Sequence, residues 1–301
     1  MPATQNPLRP ITPKHMLISV TSLSAFDYCS RKLYLERVLR LREPPKEPLV
    51  LGSIRHKVMD FINKGEEHIV ISISKTDSED YIREKYQNYY LRFLKKAIVD
   101  NKYELGEVGL NQLEAYKKVK ELVLDECGLR TENLLSFIRK NKLYGDELWE
   151  KLTPKIESEF YVESEKLGLK GIVDNIEKYE DIMVPIELKT GSAPREGVWP
   201  GHQLQLGAYL LMLSEKTGKE IDRGYIRYLD ISENRQIVMN PFLKMKIENL
   251  VKKVNDCLSG KELPDFCGSE NKCKSCGLKN ICYDKTELGK MMKARFPREE
   301  N

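Results

Sequence analysis

Hydrophobic residues follow helical spacing in the first half of this chain of 301 residues. In the segment 21–62 they recur every three or four positions, which predicts a helix over 22–40 and a second helix that begins after Gly52. Residues 63–154 keep the same spacing but are highly charged, so we expect a helical insertion there.

From residue 155 apolar and polar residues alternate, and this period of two predicts a sheet. The predicted strands are 155–164, 168–179, 182–190, 223–231 and 235–240. Helices are predicted at 202–218 and 242–258, so that the segment 155–260 forms the core. Helices before, inside and after the strands predict an α/β fold with a mixed central sheet flanked by helices.

The two ends of the chain differ from this core. Residues 1–20 contain prolines and no apolar stretch typical of a secretion signal, so we expect a flexible N-terminal arm. Residues 261–301 form a cysteine-rich tail. No segment approaches the roughly 18 apolar residues needed to span a bilayer, which predicts a soluble, cytoplasmic protein without membrane association. The sequence leaves the oligomeric state open, a homo-oligomer included.

Two neighbouring strands concentrate three charged residues on one face. If 168–179 and 182–190 pair across a turn at Glu180 and Asp181, Asp174 stands directly opposite Glu187. Lys189 shares this face because strand side chains alternate. The other face is expected to contribute to the core through its apolar residues, which are Val173, Tyr179, Ile182, Val184, Ile186 and Leu188.

A carboxylate pair at this distance indicates a cation site. Two such groups repel each other unless a cation lies between them or one is protonated, and oxygen ligands suit Mg²⁺ or Mn²⁺. Lys189 could orient a metal-bound water, and His56 on the second helix could add a ring nitrogen. The alternative is a solvated strand on which Asp174, Glu187 and Lys189 only pair with one another.

Gln205 and Tyr209 are four residues apart and therefore share one face of the predicted helix 202–218. By itself this spacing is also typical of an ordinary amphipathic helix. The order of short motifs is more informative than any one of them. The motifs are GxxxH at 52–56, GxxD at 171–174, ExK at 187–189 and QxxxY at 205–209.

Three of the seven cysteines, Cys273, Cys276 and Cys282, have the spacing of a compact thiolate site. Thiolates are soft ligands, so zinc and iron–sulfur clusters are the candidates. Such a site needs a fourth ligand, which the nearby Cys267 or the distant Cys29 could supply. The spacing leaves both open, and with Cys267 the chain would be a zinc-binding nucleic-acid protein.

Together, the ordered motifs and the split cysteines resemble the RecB-type nucleases of the PD-(D/E)XK superfamily. Within that superfamily they are most similar to the CRISPR-associated iron–sulfur exonuclease family. The resemblance covers residues 20–62 and 155–285. It implies a RecB-like nuclease core with an iron–sulfur tail, and it leaves 63–154 as an additional segment that could bind a partner or lengthen the DNA channel.

The resemblance also implies a role for each motif residue. The metal ligands would be His56, Asp174, Glu187 and the carbonyl of Leu188. The catalytic residues would be Asp174, Glu187 and Lys189. The residues that position DNA would be Gln205 and Tyr209, with Arg31 as a candidate phosphate contact. The ligands of a [4Fe–4S] cluster would be Cys29, Cys273, Cys276 and Cys282, which leaves Cys267 without a role.

The implied activity is metal-dependent hydrolysis of DNA. By this resemblance, the protein would be an exonuclease on single-stranded ends, acting 5′→3′ with Mn²⁺ or Mg²⁺, that trims spacer precursors during CRISPR acquisition. Its partners would then be the CRISPR integrase and the small companion subunit of that integrase. Two alternatives remain: a RecB-like repair nuclease outside CRISPR, and a non-catalytic adaptor that binds DNA ends.

Overall fold

The computed structural model describes residues 17–180 and 182–296. Most of the predicted arm, the last residues of the tail and one residue of the predicted turn, Asp181, lie outside this range. No helix among the described residues is long and apolar enough to cross a membrane.

Six strands and eleven helices make up the described chain. The strands are β1 (Ile18–Ser19), β2 (Lys155–Ser164), β3 (Leu169–Lys178), β4 (Met183–Lys189), β5 (Arg223–Tyr228) and β6 (Glu233–Val238). The first six helices are α1 (Val20–Arg37), α2 (Glu47–Ile71), α3 (Glu79–Asp100), α4 (Lys102–Glu107), α5 (Gln112–Asn141) and α6 (Gly145–Lys151). The others are α7 (Pro200–Thr217), α8 (Pro241–Ser259), α9 (Glu270–Lys274), α10 (Lys279–Tyr283) and α11 (Lys285–Arg295).

The sheet is mixed, as the sequence predicts. Its strands follow the order β1-β3-β4-β5-β6, and β2 also pairs with β3. Strands β3 and β4 are antiparallel, with Asn175 opposite Ile186 and Ile176 opposite Pro185. This is the predicted register, and its continuation by one residue places Asp174 opposite Glu187. Strand β5 runs parallel to β4, so the chain crosses over through α7 between them.

Helices cover both faces of the sheet and form two hydrophobic cores. One core joins Ile186 and Leu188 of β4 to α2, α3 and α5. The second joins Ile226 of β5 to α1, α7 and α8. The predicted core stripe is correct at Val173, Ile186 and Leu188, which are buried. It is wrong at Tyr179 and Ile182, which are exposed because they lie at the turn end of the hairpin.

The first two helices differ from the prediction in where they begin and how they run. Helix α2 begins at Glu47 because Pro48 fits the first turn of a helix, so Gly52 lies inside it. The same helix continues past the predicted boundary at residue 62. Residues 18–20, assigned to the arm, form β1 and the start of α1. Helix α1 is interrupted at Cys29, where φ is −164° and ψ is 105°.

The predicted insertion is a helical layer with its own capping signals and a buried ion pair. Ser78 caps α3, and Asn111 with Glu114 forms a capping box at the start of α5. Arg130 of α5 donates two hydrogen bonds to the buried Glu66 of α2, at 2.5 and 2.7 Å. Two charge-assisted bonds satisfy both oxygens of a carboxylate removed from water, and they hold α5 against α2.

Candidate active site and cysteine centre

Helix α2 reaches the end of β4 because Gly52 carries no side chain. A Cβ atom at this position would lie 2.5 Å from the hydroxyl oxygen of Thr190, the residue after β4. One turn further along α2, His56 therefore comes close to the strands that carry the acidic motifs. The two fixed positions of the GxxxH motif thus correspond to a close approach and a ring nitrogen.

The GxxD and QxxxY motifs interlock in the same way. A Cβ atom at Gly171 would lie 2.7 Å from a ring carbon of Tyr209. The Tyr209 hydroxyl donates a 2.7 Å hydrogen bond to the carbonyl of Ile172. These contacts dock α7 against β3 beside Asp174, so each motif makes room for the other.

Asp174 joins the histidine to the second acidic strand. Its Oδ1 lies 3.4 Å from Nδ1 of His56. Its Oδ2 accepts a 2.8 Å hydrogen bond from the backbone N–H of Leu188. The backbone contact fixes the orientation of the carboxylate, with its other oxygen toward His56. We call the group formed by His56, Asp174, Glu187 and Lys189 the acidic cleft. The role of the Leu188 carbonyl as a metal ligand stays a prediction.

Lys189 and Glu187 form a hydrogen-bonded group with Gln205 of α7. The Lys189 ammonium donates to Glu187 Oε1 at 2.8 Å and to Gln205 Oε1 at 2.9 Å. The Gln205 amide in turn donates to Glu187 Oε1 at 2.5 Å. An ammonium has three donor hydrogens, so one remains for a water or a phosphate oxygen.

The second oxygen of Glu187 has the character of an unused cation ligand. Oε2 is buried and has no hydrogen-bond partner, and the residue is only 3 % exposed. Burial, reinforced by Asp174 and opposed by Lys189, raises the pKa of Glu187 to about 8. A cation between Asp174 and Glu187 would satisfy Oε2 and restore the charged form, so the donor set fits Mg²⁺ or Mn²⁺.

Within the described ranges, 17–180 and 182–296, no three acidic, histidine or cysteine side chains form a ready group of metal ligands. The site thus consists of His56 and Asp174 in contact, with Glu187 hydrogen-bonded to Lys189 on the facing strand. Rotation of the His56 and Glu187 side chains toward an ion beside Asp174 is the rearrangement that binding would require.

Two acidic residues near this cleft were not predicted. Glu159 of β2 has a left-handed backbone (φ 53°), a conformation in which non-glycine residues often belong to functional sites. Burial and the neighbouring Asp174 and Asp60 raise the pKa of Glu159. Asp60 accepts a 2.7 Å hydrogen bond from Ser158. Its position four residues after His56 was the available signal for Asp60.

His202 is a third residue that the sequence did not single out. It lies one turn before Gln205 on α7, and its Nδ1 is 3.0 Å from the hydroxyl oxygen of Tyr228. Burial, together with the charge of Lys189, lowers the pKa of His202 to about 4. A neutral imidazole at this place avoids a second positive charge beside the lysine.

The residues expected to position DNA are less accessible than that role suggests. Gln205 is 6 % exposed and Tyr209 is 1 % exposed, and their polar atoms contact Glu187, Lys189 and the backbone of β3. They orient the residues that would meet the metal and the phosphate. Any contact of their own with DNA stays a prediction.

Arg31 lies beside the cysteines and not in the acidic cleft. It is 8 % exposed, and its guanidinium donates to the carbonyl of Pro264 at 2.7 Å and to Cys282 Sγ at 3.3 Å. The same group stacks over the ring of Phe266, 4.2 Å from the ring centre. These contacts favour a role in attaching the tail to α1 over the predicted phosphate contact.

Five cysteines from the two ends of the chain line one small cavity. They are Cys29, Cys267, Cys273, Cys276 and Cys282. All are free thiols, and Cys29 occupies the interruption of α1. The three predicted late ligands and both candidates for the fourth position thus line the same cavity, but no three of these thiols form a ready metal site among the described residues.

Cys267 and Cys29 differ in their surroundings. A hydrogen bond with the backbone of Ser269 lowers the pKa of Cys267, whereas burial raises the pKa of Cys29. Cys267 Sγ lies 3.8 Å from Cys273 Sγ. The geometry therefore brings a fifth thiol to the centre and leaves both four-cysteine sets available.

The sheet, the interlocked motifs and the acidic cleft define a nuclease fold of a known class. The family model of the PD-(D/E)XK nuclease superfamily matches residues 17–283, and the chain belongs to that superfamily. This confirms the fold class and the superfamily that the motifs predict. Nucleases of this superfamily use divalent metal ions.

Curated relatives narrow the resemblance. A CRISPR-associated exonuclease Cas4/endonuclease Cas1 fusion of Leptospira interrogans is 34% identical over 149 residues, covering 46% of this chain and 27% of that protein. The CRISPR-associated exonuclease Cas4 of Francisella tularensis is 28% identical over 127 residues, covering 41% of this chain and 61% of that protein. These names agree with the family that the sequence resembles.

One relative extends over nearly the whole chain. The DNA replication ATP-dependent helicase/nuclease JHS1 of Arabidopsis thaliana is 24% identical over 291 residues, which is 91% of this chain and 21% of that protein. The chain thus spans about a quarter of the fusion protein and about a fifth of the helicase/nuclease. A solved structure of SSO0001 shares 18% identity and a TM-score of 0.31 over 57% of this chain and 79% of the other.

Proposed function

We propose that this protein is a metal-dependent deoxyribonuclease that removes nucleotides from single-stranded DNA ends in the 5′→3′ direction. The observation that carries the proposal is the buried, unpaired Oε2 of Glu187, adjacent to Lys189 and opposite the Asp174–His56 contact. Glu126 of α5 also has a buried carboxylate oxygen without a partner, so what distinguishes Glu187 is its place beside Lys189 and opposite Asp174.

The proposed metal ligands are His56, Asp174, Glu187 and the Leu188 carbonyl. Bound there, Mn²⁺ or Mg²⁺ would polarise the scissile phosphate and lower the pKa of the attacking water. The chain's own groups supply the orientation. Gln205 and Glu187 hold the Lys189 ammonium, whose remaining N–H would be available to the water or a phosphate oxygen.

Neutral His202 keeps the local positive charge on Lys189, and the Leu188 N–H prevents rotation of Asp174. These two contacts would hold the acidic pair and the lysine in one arrangement through the reaction.

For the cysteine centre we propose a [4Fe–4S] cluster held by Cys29, Cys273, Cys276 and Cys282. This set would join the interruption of α1 to the tail and close one end of the DNA path. The alternative is a zinc site that uses Cys267 in place of Cys29. Anaerobically purified protein with broad visible absorption and iron supports the cluster, whereas a colourless protein with zinc contradicts it.

The biological setting we propose is CRISPR spacer acquisition, in which the protein trims spacer precursors together with the integrase and its small companion subunit. The curated names of the partial relatives support this setting. A repair nuclease outside CRISPR is the second candidate, because the helicase/nuclease relative aligns with 91% of the chain. Co-elution of the purified protein with the integrase and its companion distinguishes the two.

The catalytic proposal is tested with end-labelled single-stranded DNA and Mn²⁺. Lys189→Ala should abolish cleavage and keep the melting temperature, with Lys252→Ala on the exposed face of α8 as a matched control. Comparison of 5′ and 3′ labels gives the direction of degradation. Undiminished cleavage by Lys189→Ala, or cleavage that persists in EDTA, would refute the proposed site, and binding without cleavage by wild-type protein would favour the adaptor.

A further inference from the structure

A strip of cationic and aromatic side chains lies on α2 and α3 beside the acidic cleft. We call it the α2–α3 strip, and it consists of Lys57, Phe61, Lys64, Arg92, Phe93 and Lys96. Its α2 residues share a face because they are three or four positions apart. On α2 the strip runs from Lys57, directly after His56, to Lys64, which is a rise of about 10 Å along the helix axis.

The two phenylalanines form a half-buried aromatic platform between the helices. Their ring centres are 5.7 Å apart, and Tyr89 supports Phe93 edge-on at 4.9 Å. The Lys96 ammonium lies 3.5 Å from the ring centre of Phe61. The Lys96 side chain is about half exposed, so the ammonium group above the Phe61 ring is not packed in place by other residues.

The charges of the strip are only partly neutralised within the protein. Lys57 and Lys96 share the carboxylate of Asp100 at 3.7 and 3.9 Å, and Lys64 pairs with Asp60 at 2.7 Å. Arg92 is exposed and has no ion pair among the described residues. The two pairs with Asp100 are exposed on both sides and contribute little, so phosphate groups can replace this carboxylate at small cost.

We propose that the α2–α3 strip binds single-stranded DNA and guides it to the acidic cleft. Arg92 and Lys96 would contact phosphates, and bases would stack on Phe61 and Phe93 once the Lys96 ammonium moves to the backbone. A cationic groove with exposed aromatic faces is the combination by which proteins bind single strands without sequence preference. A duplex would not offer its base faces to such a platform.

This inference rests on the proposed function, since the strip is assigned to the strand that enters the nuclease site. It gives the additional helical layer a role, because Arg92, Phe93 and Lys96 all belong to α3. The α2–α3 strip is continuous with the acidic cleft. His56 and Asp60 lie one turn apart on α2 next to the strip, and His56 contacts Asp174.

The test measures binding of fluorescein-labelled oligothymidylates in EDTA, where no cleavage occurs. Single-strand binding sites typically span ~4–16 nucleotides. The shorter oligonucleotide, of about 6 nucleotides, lies near the lower end of this range, and the longer one, of about 24 nucleotides, exceeds it. The variants are Arg92→Ala/Lys96→Ala and, separately, Phe93→Leu, which keeps an apolar side chain. The matched control is Lys252→Ala/Lys253→Ala on α8, on the other side of the sheet.

We expect the salt dependence of binding to the longer oligonucleotide to weaken in Arg92→Ala/Lys96→Ala. Two lost phosphate contacts reduce the slope of log K against log salt by about 1.4. Phe93→Leu should weaken binding about 5-fold or more with an unchanged slope, because stacking on the ring is lost. Binding of the shorter oligonucleotide should change less than binding of the longer one, and the melting temperature of both variants should stay near that of the wild type.

Equal slopes for the α3 variant and the α8 control, in a protein whose wild type cleaves DNA, would overturn the inference alone. A wild-type protein that binds with the expected slope but does not cleave in Mn²⁺ would overturn the proposed function and leave the strip supported. Loss of binding by both double variants to the same extent would also overturn the inference, because it would show a diffuse charge effect.

Discussion

The acidic cleft and the cysteine-rich tail both collect ligand-type side chains, but they are built in opposite ways. The cleft is supported by a six-stranded sheet and two hydrophobic cores, and Glu187 and Gln205 are buried there. The tail consists of three short helices around a small core in which Leu35, Leu278 and Leu288 are the buried hydrophobic residues. Packing therefore positions the first site, whereas in the second we expect a bound group to add to the order that so small a core provides.

This difference predicts opposite consequences for loss of a ligand residue. In the cleft, activity should be lost while the fold remains. In the tail, local order should be lost while the nuclease core remains.

The largest effect is expected for Glu187→Gln. Loss of one anionic ligand should reduce Mn²⁺-dependent cleavage by about 10³-fold or more, because several kcal/mol of charge stabilisation disappear. The melting temperature should stay the same or rise, since a neutral amide is easier to bury than a carboxylate. Glu248→Gln on the exposed side of α8 is the control, and a strongly destabilised Glu187→Gln protein would contradict a site formed by packing.

A tail variant should show the reverse pattern. Cys282→Ser removes a thiol from the five-cysteine cavity, so the bound group should be lost and proteolysis within 261–296 should become faster. Cys257→Ser serves as the control, since Cys257 does not line the cavity. The residues 155–260 should remain protected. A tail that stays protected without its metal or cluster would show that packing alone orders it.

The visible absorption of the cluster identifies the fourth ligand. With the cluster set that we propose, Cys29→Ser should lose the visible absorption and Cys267→Ser should retain it. The opposite result would assign the position to Cys267 and release α1 from the tail.

A smaller effect is expected at the interlocked motifs. Gly171→Ala places a Cβ atom against the Tyr209 ring and should lower the free energy of unfolding by about 1–3 kcal/mol. Gly128→Ala in α5 meets no atom within 4 Å and should raise it by about 0.5–1 kcal/mol. Denaturant unfolding of both variants gives the comparison, and equal stabilities would remove the packing explanation for the GxxD glycine.

The smallest effect is a pH dependence at His202. Its pKa in the folded protein, about 4, lies below its ordinary value of 6.5, so the unfolded chain binds more protons between these values. Stability should therefore fall as the pH decreases from 6.5 to 4. In His202→Asn the melting temperature should therefore decrease less between pH 6.5 and pH 4 than it does in the wild type. An unchanged profile would show that the ring is not held neutral.

The sequence predicted the cleft better than its surroundings. Alternation and a two-residue turn were enough for the β3–β4 register and hence for the pairing of Asp174 with Glu187. The prediction that a helix begins after Gly52 was wrong. Glycine is required at this position because Thr190 approaches closely, and that contact depends on a distant strand. The position of Glu159 beside Asp174 and the burial of Arg31 likewise depend on contacts between distant elements, which no local sequence pattern indicates.

The five-cysteine cavity shows the same limit. Spacing predicted the three late cysteines but left Cys29 and Cys267 as alternatives, and the folded chain brings both to the centre. Chain geometry therefore does not decide between them, and the proposed variants of Cys29 and Cys267 would.

The most direct test of the account is calorimetric titration of Mn²⁺ into cluster-loaded protein without DNA. Wild-type protein should show saturable binding that is lost in both Asp174→Asn and His56→Gln, since each removes a proposed ligand from the same ion. Binding of equal affinity in wild type and both variants would contradict the claim that His56, Asp174 and Glu187 hold a metal ion together.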